Sequence, residues 1–443
     1  MNVIRKLTAV STLSACRSFS VSATNNATHS CKLLVIGGGS AGCTIAAKFV
    51  NRLKAKDSVI ILEPSKDHYY QPLWTLVGGG IVDVESTRRD AASVLPSGAK
   101  WIRDYASHID PDKCSVETKD GHVINYEYII VATGIEMSYN EVPGMWEALQ
   151  DPKSMVSSIY TPQHCTKTWK SLQEFKGGEA IFTYPQCPIK CPGAPQKIAY
   201  LADSYWTKTN MRSKANITYA TCLPVIFGVP KYAKELDKVC KRKNINVDCK
   251  IILKEIHHDK KEAVFQKCGC EKEKGFFTRS YDLLHVVPHQ QPPEVVRLNK
   301  KIVDSTGYLD VDMYTLQHKK YPNMYGIGDC TNSPNSKTGA AAAKQAYVVQ
   351  ENLMATMRKD SPKEKYNGYG ACPLVTSYNT VILAEFIYGG IPHETMPFDQ
   401  SKESVIAYYM KRHLFPFIYW HFMLKGYYNG PEFVRRIVNP FGW

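Results

Sequence analysis

The apolar run Leu33-Leu34-Val35-Ile36 leads directly into Gly37-Gly38-Gly39-Ser40-Ala41-Gly42 and then into the helical stretch Thr44 to Arg52. A buried strand, a glycine loop and a helix in that order commit a chain to a βαβ nucleotide fold, because each glycine has a mechanical task. Gly37 permits the tight turn, Gly39 lets a pyrophosphate approach the backbone, and Gly42 lets the helix pack on the sheet. Ser58-Val59-Ile60-Ile61-Leu62 reads as the next strand and ends at Glu63, twenty-one residues beyond Gly42, where a carboxylate accepts hydrogen bonds from ribose hydroxyls.

A second unit of the same kind begins near Glu179. Residues 179–184 read as an apolar strand and Ala194 to Tyr205 as the helix after it. Between them, where a nicotinamide site would present its glycine loop, stands Cys187-Pro188-Ile189-Lys190-Cys191-Pro192-Gly193. Prolines and thiols there do not let a diphosphate approach the backbone, so sulfur chemistry replaces pyridine nucleotide as the leading expectation.

The alternation continues with strands at Asn216 to Thr221 and Val247 to Leu253 and a helix at Lys231 to Lys243, predicting a parallel, helix-covered sheet. Lys254 to Phe277 reads as a solvated hairpin. Its Cys268-Gly269-Cys270 lacks the Cys-x-x-Cys spacing, and no metal is expected.

At 443 residues with 44% hydrophobic content, the chain can bury two or three domain cores. Its fourteen cysteines are irregularly spaced, which argues for mostly reduced, buried thiols rather than a disulfide scaffold. The formal charge of +14 is spread along the chain and accompanies no nucleic-acid motif, so nucleic acid is not an expected partner. Residues 1–30 hold Arg5, Lys6, Arg17 and several serines and no carboxylate, the composition of a mitochondrial transit peptide.

The last hundred residues leave the nucleotide pattern. Leu414 to Leu424 is apolar and aromatic for eleven residues, interrupted by Pro416 and His421, whereas a spanning helix needs about 20. With Lys411, Arg412, Lys425, Arg435 and Arg436 beside it, the segment suits the headgroup region of a membrane, although a buried helix pair or an oligomer interface has the same composition.

Two further segments carry a resemblance. Tyr128-Ile129-Ile130-Val131-Ala132-Thr133-Gly134 and Tyr325-Gly326-Ile327-Gly328-Asp329 look like the crossing strand and the late aspartate motif of two-dinucleotide-domain flavoproteins, which implies FAD in the first fold. Together with Lys190-Cys191-Pro192-Gly193-Ala194-Pro195-Gln196-Lys197, Gly370-Ala371-Cys372-Pro373-Leu374-Val375-Thr376 and the tail from Pro397, the chain resembles the mitochondrial sulfide:quinone oxidoreductases over nearly all of residues 31–443.

The resemblance implies an α/β fold with two Rossmann-like domains in tandem, the first discontinuous, and a C-terminal membrane-docking helical segment. It divides the chain into a transit peptide (1–30), an FAD domain (31–155 and 285–345), a second Rossmann-like domain with a redox cysteine (156–284) and a C-terminal region (346–443). It implies catalytic Cys191 beside the flavin, with Cys372 as its disulfide or sulfur-bridged partner, and Gly37, Gly39, Ala41, Gly42, Glu63, Gln71, Ala106, Thr133, Gly134, Asp329 and Lys337 around FAD. A local pairing of Cys187 with Cys191 stays open at this point.

In the reaction so implied, HS⁻ attacks Cys372 and releases Cys191, two electrons pass through FAD to ubiquinone, and glutathione or sulfite takes the sulfane sulfur at the inner mitochondrial membrane. Lys190, Lys197 and Lys337 are candidates for favouring anionic sulfur. A type II NADH:quinone reductase and a non-catalytic flavin-binding protein are the competing expectations.

Overall fold

The computed structural model describes residues 27–53, 58–186, 188–271 and 274–440. Residues 1–26 of the expected transit peptide, and Cys187, lie outside the described residues.

Residues buried on both sides build the first sheet. Leu33, Leu34 and Val35 are fully buried in the strand Thr28–Ile36, which runs parallel to Val59–Leu62 on one side and Val123–Val131 on the other. Lys100–Ile102 extends the sheet beyond Val59–Leu62, and Met324–Gly326 pairs in parallel with the end of Val123–Val131. A hairpin of Ala106–Asp110 and Ser115–Thr118 completes the far edge. The first strand thus starts at Thr28 and pairs with Val123 there, so the folded domain begins inside the segment set aside as residues 1–30. Its late part also runs past 345, because the helix Gly339–Met357 is continuous and packs against Ser40–Leu53.

The second domain is a five-stranded parallel sheet in the order Val156–Ser157, Leu283–His285, Gly178–Tyr184, Ala215–Thr221, Ile245–Cys249. Helices Ala194–Lys208 and Pro230–Lys243 follow its second and third sequence strands. The strand expected at residues 247–253 is two strands, Ile245–Cys249 and Ile251–His257, broken at Lys250, which adopts φ 59°. The region expected as a solvated hairpin is part of an antiparallel three-stranded sheet, Ile251–His257, Glu262–Lys267 and Phe276–Ser280. Its alternation turns Ala263 and Phe265 inward, where they join Val142, Met145 and Leu284 in a separate apolar core. Cys268 donates to the Cys222 carbonyl at 3.5 Å and Cys270 is exposed.

The C-terminal region adds an antiparallel sheet in which the edge strand Gly370–Val375 pairs with Val381–Ile387, setting Cys372 opposite Ala384. Pro373 is tolerated there because an edge strand has one side without ladder partners. A helical run from Val405 to Met423 follows, widened into π turns at Met410–Leu414 and Tyr419–Met423, on either side of Pro416, which has no N–H to give. Its inner face buries Ala407, Tyr408, Lys411, Tyr419 and Met423, the start of the run packing on Val381–Ile387 and Lys411 and Tyr419 bonding to Pro72, Ser40 and His68 of the first domain, and its outer face exposes Ile406, Tyr409, Leu414, Phe417 and Phe422. No helix among the described residues is long and apolar enough to cross a membrane.

Candidate functional site

The glycine loop has the shape its sequence requires. Gly37 adopts φ +99°, and a methyl group there would lie 2.5 Å from the Ala132 carbonyl oxygen. A methyl on Gly42 would strike the Gly37 carbonyl, whereas one on Gly39 would meet nothing within 4 Å. Two glycines are therefore filled by the protein's own backbone and the third faces open space, the cradle a pyrophosphate needs. The Glu63 carboxylate closes the loop's flank, accepting from the backbone N–H of Gly38 at 2.5 Å and of Ser65 at 2.7 Å. These residues fit FAD.

The other expected cofactor residues fall at several distances along the fold. Gly328 turns with φ +80° against Ala41, bringing the following Asp329 toward the loop. Burial pushes the Asp329 carboxyl up, against the pull of Lys337 and Lys190. Thr133 and Gly134 cap the strand Val123–Val131, beside Gly37. Gln71 accepts from Lys190 Nζ at 2.8 Å, tying the segment after Tyr70 to the redox loop. Ala106 opens the edge strand paired with Thr118, on the hairpin side of the sheet.

Cys191 is held in the left-handed region at φ 52°, a conformation an L-residue adopts only when its surroundings impose it. Its N–H donates to the Lys337 carbonyl at 2.7 Å, its carbonyl accepts from Ala194 N–H at 2.8 Å, and Lys190 bridges in parallel to Lys337. A loop pinned at both ends aims the thiol at the edge strand of the C-terminal sheet. There Cys191 Sγ lies 3.7 Å from Cys372 Sγ, a non-bonded contact between residues 181 positions apart. Gly193 permits the approach, since a methyl on it would sit 2.6 Å from Cys372 Sγ and 2.5 Å from Leu374 Cδ2.

Buried ammonium groups surround this pair. Lys197, in the first turn of Ala194–Lys208, is 2% exposed and donates to Cys191 Sγ at 3.2 Å. Burial pushes Lys197 down, but the two sulfurs raise it further, so it stays charged. The Cys191 thiol is held well below its ordinary range, first by the hydrogen bond from Cys372 and then, against the cost of burial, by Lys197. The Cys372 thiol is pushed well above that range by the same bond and by burial. Cys191, the sulfur that Lys197 contacts, is thus the more acidic thiol of the reduced pair.

Sequence reasoning missed the second cation. Lys411, expected at a membrane headgroup, is 3% exposed, donates to the Pro72 carbonyl at 3.1 Å and faces the sulfurs. Burial, with Lys197 nearby, pushes it down to about 7. Arg435 is likewise turned inward, onto the His393 and Glu394 carbonyls and Thr395 Oγ1. The signal for Lys411 was its spacing: it follows the buried Ala407 by four residues and so shares its helical face. The other two candidate lysines point elsewhere. Lys190 Nζ sits 5.0 Å from the Trp74 ring centre and is lowered to about 8 by burial, and Lys337 Nζ donates to the Asp329 and Thr331 carbonyls.

The chain as a whole is similar to known proteins. Residues 31–174 match the family described as pyridine nucleotide-disulphide oxidoreductase. The chain is 46% identical over 408 residues to the mitochondrial sulfide:quinone oxidoreductase of Mus musculus, covering 92% of this chain and 89% of that protein. It is 41% identical to the mitochondrial sulfide:quinone oxidoreductase of Dictyostelium discoideum, covering 92% and 88%. The solved sulfide:quinone oxidoreductase of Aquifex aeolicus has the same fold, with a TM-score of 0.76 at 20% identity over 93% of this chain and 95% of that one.

Proposed function

The chain belongs to the mitochondrial sulfide:quinone oxidoreductase family, and on that premise we propose how its two facing cysteines divide the work. It oxidises sulfide with a quinone as electron acceptor, at the mitochondrial inner membrane. FAD, when bound, supplies the two-electron acceptor between the cysteines and the quinone.

Cys372 is the sulfur that HS⁻ attacks and Cys191 is the sulfur that leaves. In a Cys191–Cys372 disulfide, a new S–S bond forms between HS⁻ and Cys372 while the old one breaks. Cys372 keeps the persulfide and Cys191 takes the electron pair as a thiolate. Exchange is faster when the departing thiol is the stronger acid, and the single observation that carries this reading is the Lys197 ammonium 3.2 Å from Cys191 Sγ. A small nucleophile, glutathione or sulfite, then takes the outer sulfur from Cys372. The remaining Cys372 thiolate and Cys191 re-form the disulfide with loss of two electrons. Lys197 and Lys411 give the compartment the positive charge that draws HS⁻ and an anionic acceptor into it.

The exposed aromatic and aliphatic face of the tail is the membrane-docking surface, seated at the headgroups without crossing the bilayer, where ubiquinone is reached from the lipid side. The cysteine loop argues against the NADH:quinone reductase alternative, since Cys191 and its flanking prolines occupy the place of a phosphate loop.

Anaerobic titration of the flavin-loaded protein tests the whole reading. Sulfide should bleach the flavin stoichiometrically while NADH leaves it oxidised. In Cys372→Ser no enzyme persulfide should form, and one that still appears on Cys191 would reverse the assignment.

A further inference from the structure

The inner face of the tail also carries Tyr419, which this chemistry does not use. Tyr419 is 4% exposed, and its hydroxyl lies 2.7 Å from Ser40 Oγ and 2.6 Å from His68 Nε2. His68 Nδ1 in turn lies 3.2 Å from the Gly38 carbonyl oxygen. The protons in this chain have one arrangement. A carbonyl only accepts, so the imidazole hydrogen is on Nδ1, and burial keeps His68 neutral, lowered to about 4. Nε2 therefore accepts from the Tyr419 hydroxyl, whose oxygen accepts from Ser40. Gly38 N–H is meanwhile committed to Glu63.

The residues so tied are the ones that shape the dinucleotide cradle. Gly38 and Ser40 flank Gly39, the glycine whose open face the pyrophosphate fits, and Ser40 heads the helix Ser40–Leu53. Tyr419 comes from 379 residues later in the chain, from the element whose other side is the exposed apolar face. Its ring packs on Tyr70 at 4.5 Å between centres, so the aromatic body is anchored independently of the hydroxyl.

We infer that Tyr419 is a positioning residue for the FAD cradle, through which the docking tail holds the glycine loop in its cofactor-binding shape. The inference rests on the reading that this loop holds FAD. Folding of the tail and retention of the cofactor are then one property: a tail that lifts away releases Ser40 and Gly38 together.

Tyr419→Phe removes the hydroxyl and keeps the ring. Diluted holoenzyme should release flavin about tenfold faster in this variant, the effect of losing a buried hydroxyl that serves two partners. Far-ultraviolet circular dichroism should stay constant during the release. Phe417→Ser, a change on the exposed face of the same segment, should weaken vesicle binding and leave flavin release at the wild-type rate. Equal release rates in wild type and Tyr419→Phe would overturn the inference, and so would flavin appearing only in step with loss of the helix signal. Wild-type protein that holds no flavin would overturn the cofactor reading itself, a result distinct from bound flavin released equally by both.

Discussion

The Lys197 ammonium is 3.2 Å from Cys191 Sγ, and both groups are recessed from solvent beside Cys372. Lys197→Met should raise the Cys191 thiol toward the ordinary range, because burial is then opposed only by the hydrogen bond from Cys372 and by the more distant Lys411. In the reduced protein, iodoacetamide should alkylate wild-type Cys191 and spare Cys372 at neutral pH. The variant should need alkaline pH for the same rate, with sulfide turnover down about a hundredfold. Peptide mapping of the labelled thiols across pH checks both statements.

Lys411 gives the activity a pH limb of its own. Its ammonium is lowered to about 7, so the charge is present below that pH and lost as pH rises through it. At saturating quinone, the affinity for HS⁻ should fall across that range in the wild type. In Lys411→Met it should be lower by roughly tenfold at pH 6 and flat between pH 6 and 8.

Gly193→Ala would place a methyl group 2.6 Å from Cys372 Sγ. The two sulfurs must then separate or the loop must shift, at a cost of about 1–3 kcal/mol. Flavin content should stay near wild type while sulfide-dependent bleaching is lost, a split that absorbance before and after sulfide addition reads directly.

His68 makes the cradle acid-labile. Its folded-state value of about 4 lies below the ordinary 6.5, so the native protein binds fewer protons than the unfolded chain between those values. The stability it contributes is complete above pH 6.5 and is lost as pH falls toward 4, on the order of 3 kcal/mol across the window. His68→Gln should make the thermal midpoint fall less steeply between pH 6.5 and 4, the remaining fall coming from other buried histidines such as His164 and His285, measured by flavin fluorescence in a temperature ramp.

Replacing Ile406, Phe417 and Phe422 together by serine removes three exposed apolar side chains from the outer face of the tail. Each is worth about 1.5–3 kcal/mol once buried in lipid. Co-sedimentation with phospholipid vesicles should be abolished, while reduction of a water-soluble short-chain quinone continues.

The sequence carries its fold where a rule about backbone geometry is strict. Gly37 and Gly42 leave no room for a side chain and Gly39 keeps the face of the loop open, so their spacing already describes the loop seen around them. The Cys191 loop was legible as a departure from that same rule, whereas its partner Cys372, 181 positions away, rested on family likeness because no local pattern links an edge strand to a distant loop. Lys411 was misplaced for a different reason. A lysine among aromatics reads as a headgroup anchor, and only the register of the helix, set by tertiary packing, turned it inward. The sheet at 251–280 was misread because charged residues on its outer face mask Ala263 and Phe265 on the inner one.

The run from Val405 to Met423 presents Lys411 to the sulfurs and, from its opposite side, Tyr409 and Phe417 to the exterior. In the proposed docking, one ribbon of polypeptide separates sulfide from the lipid that carries the quinone by little more than its own thickness. A change that turns the ribbon to alter its outer surface therefore also moves the ammonium that faces the two sulfurs.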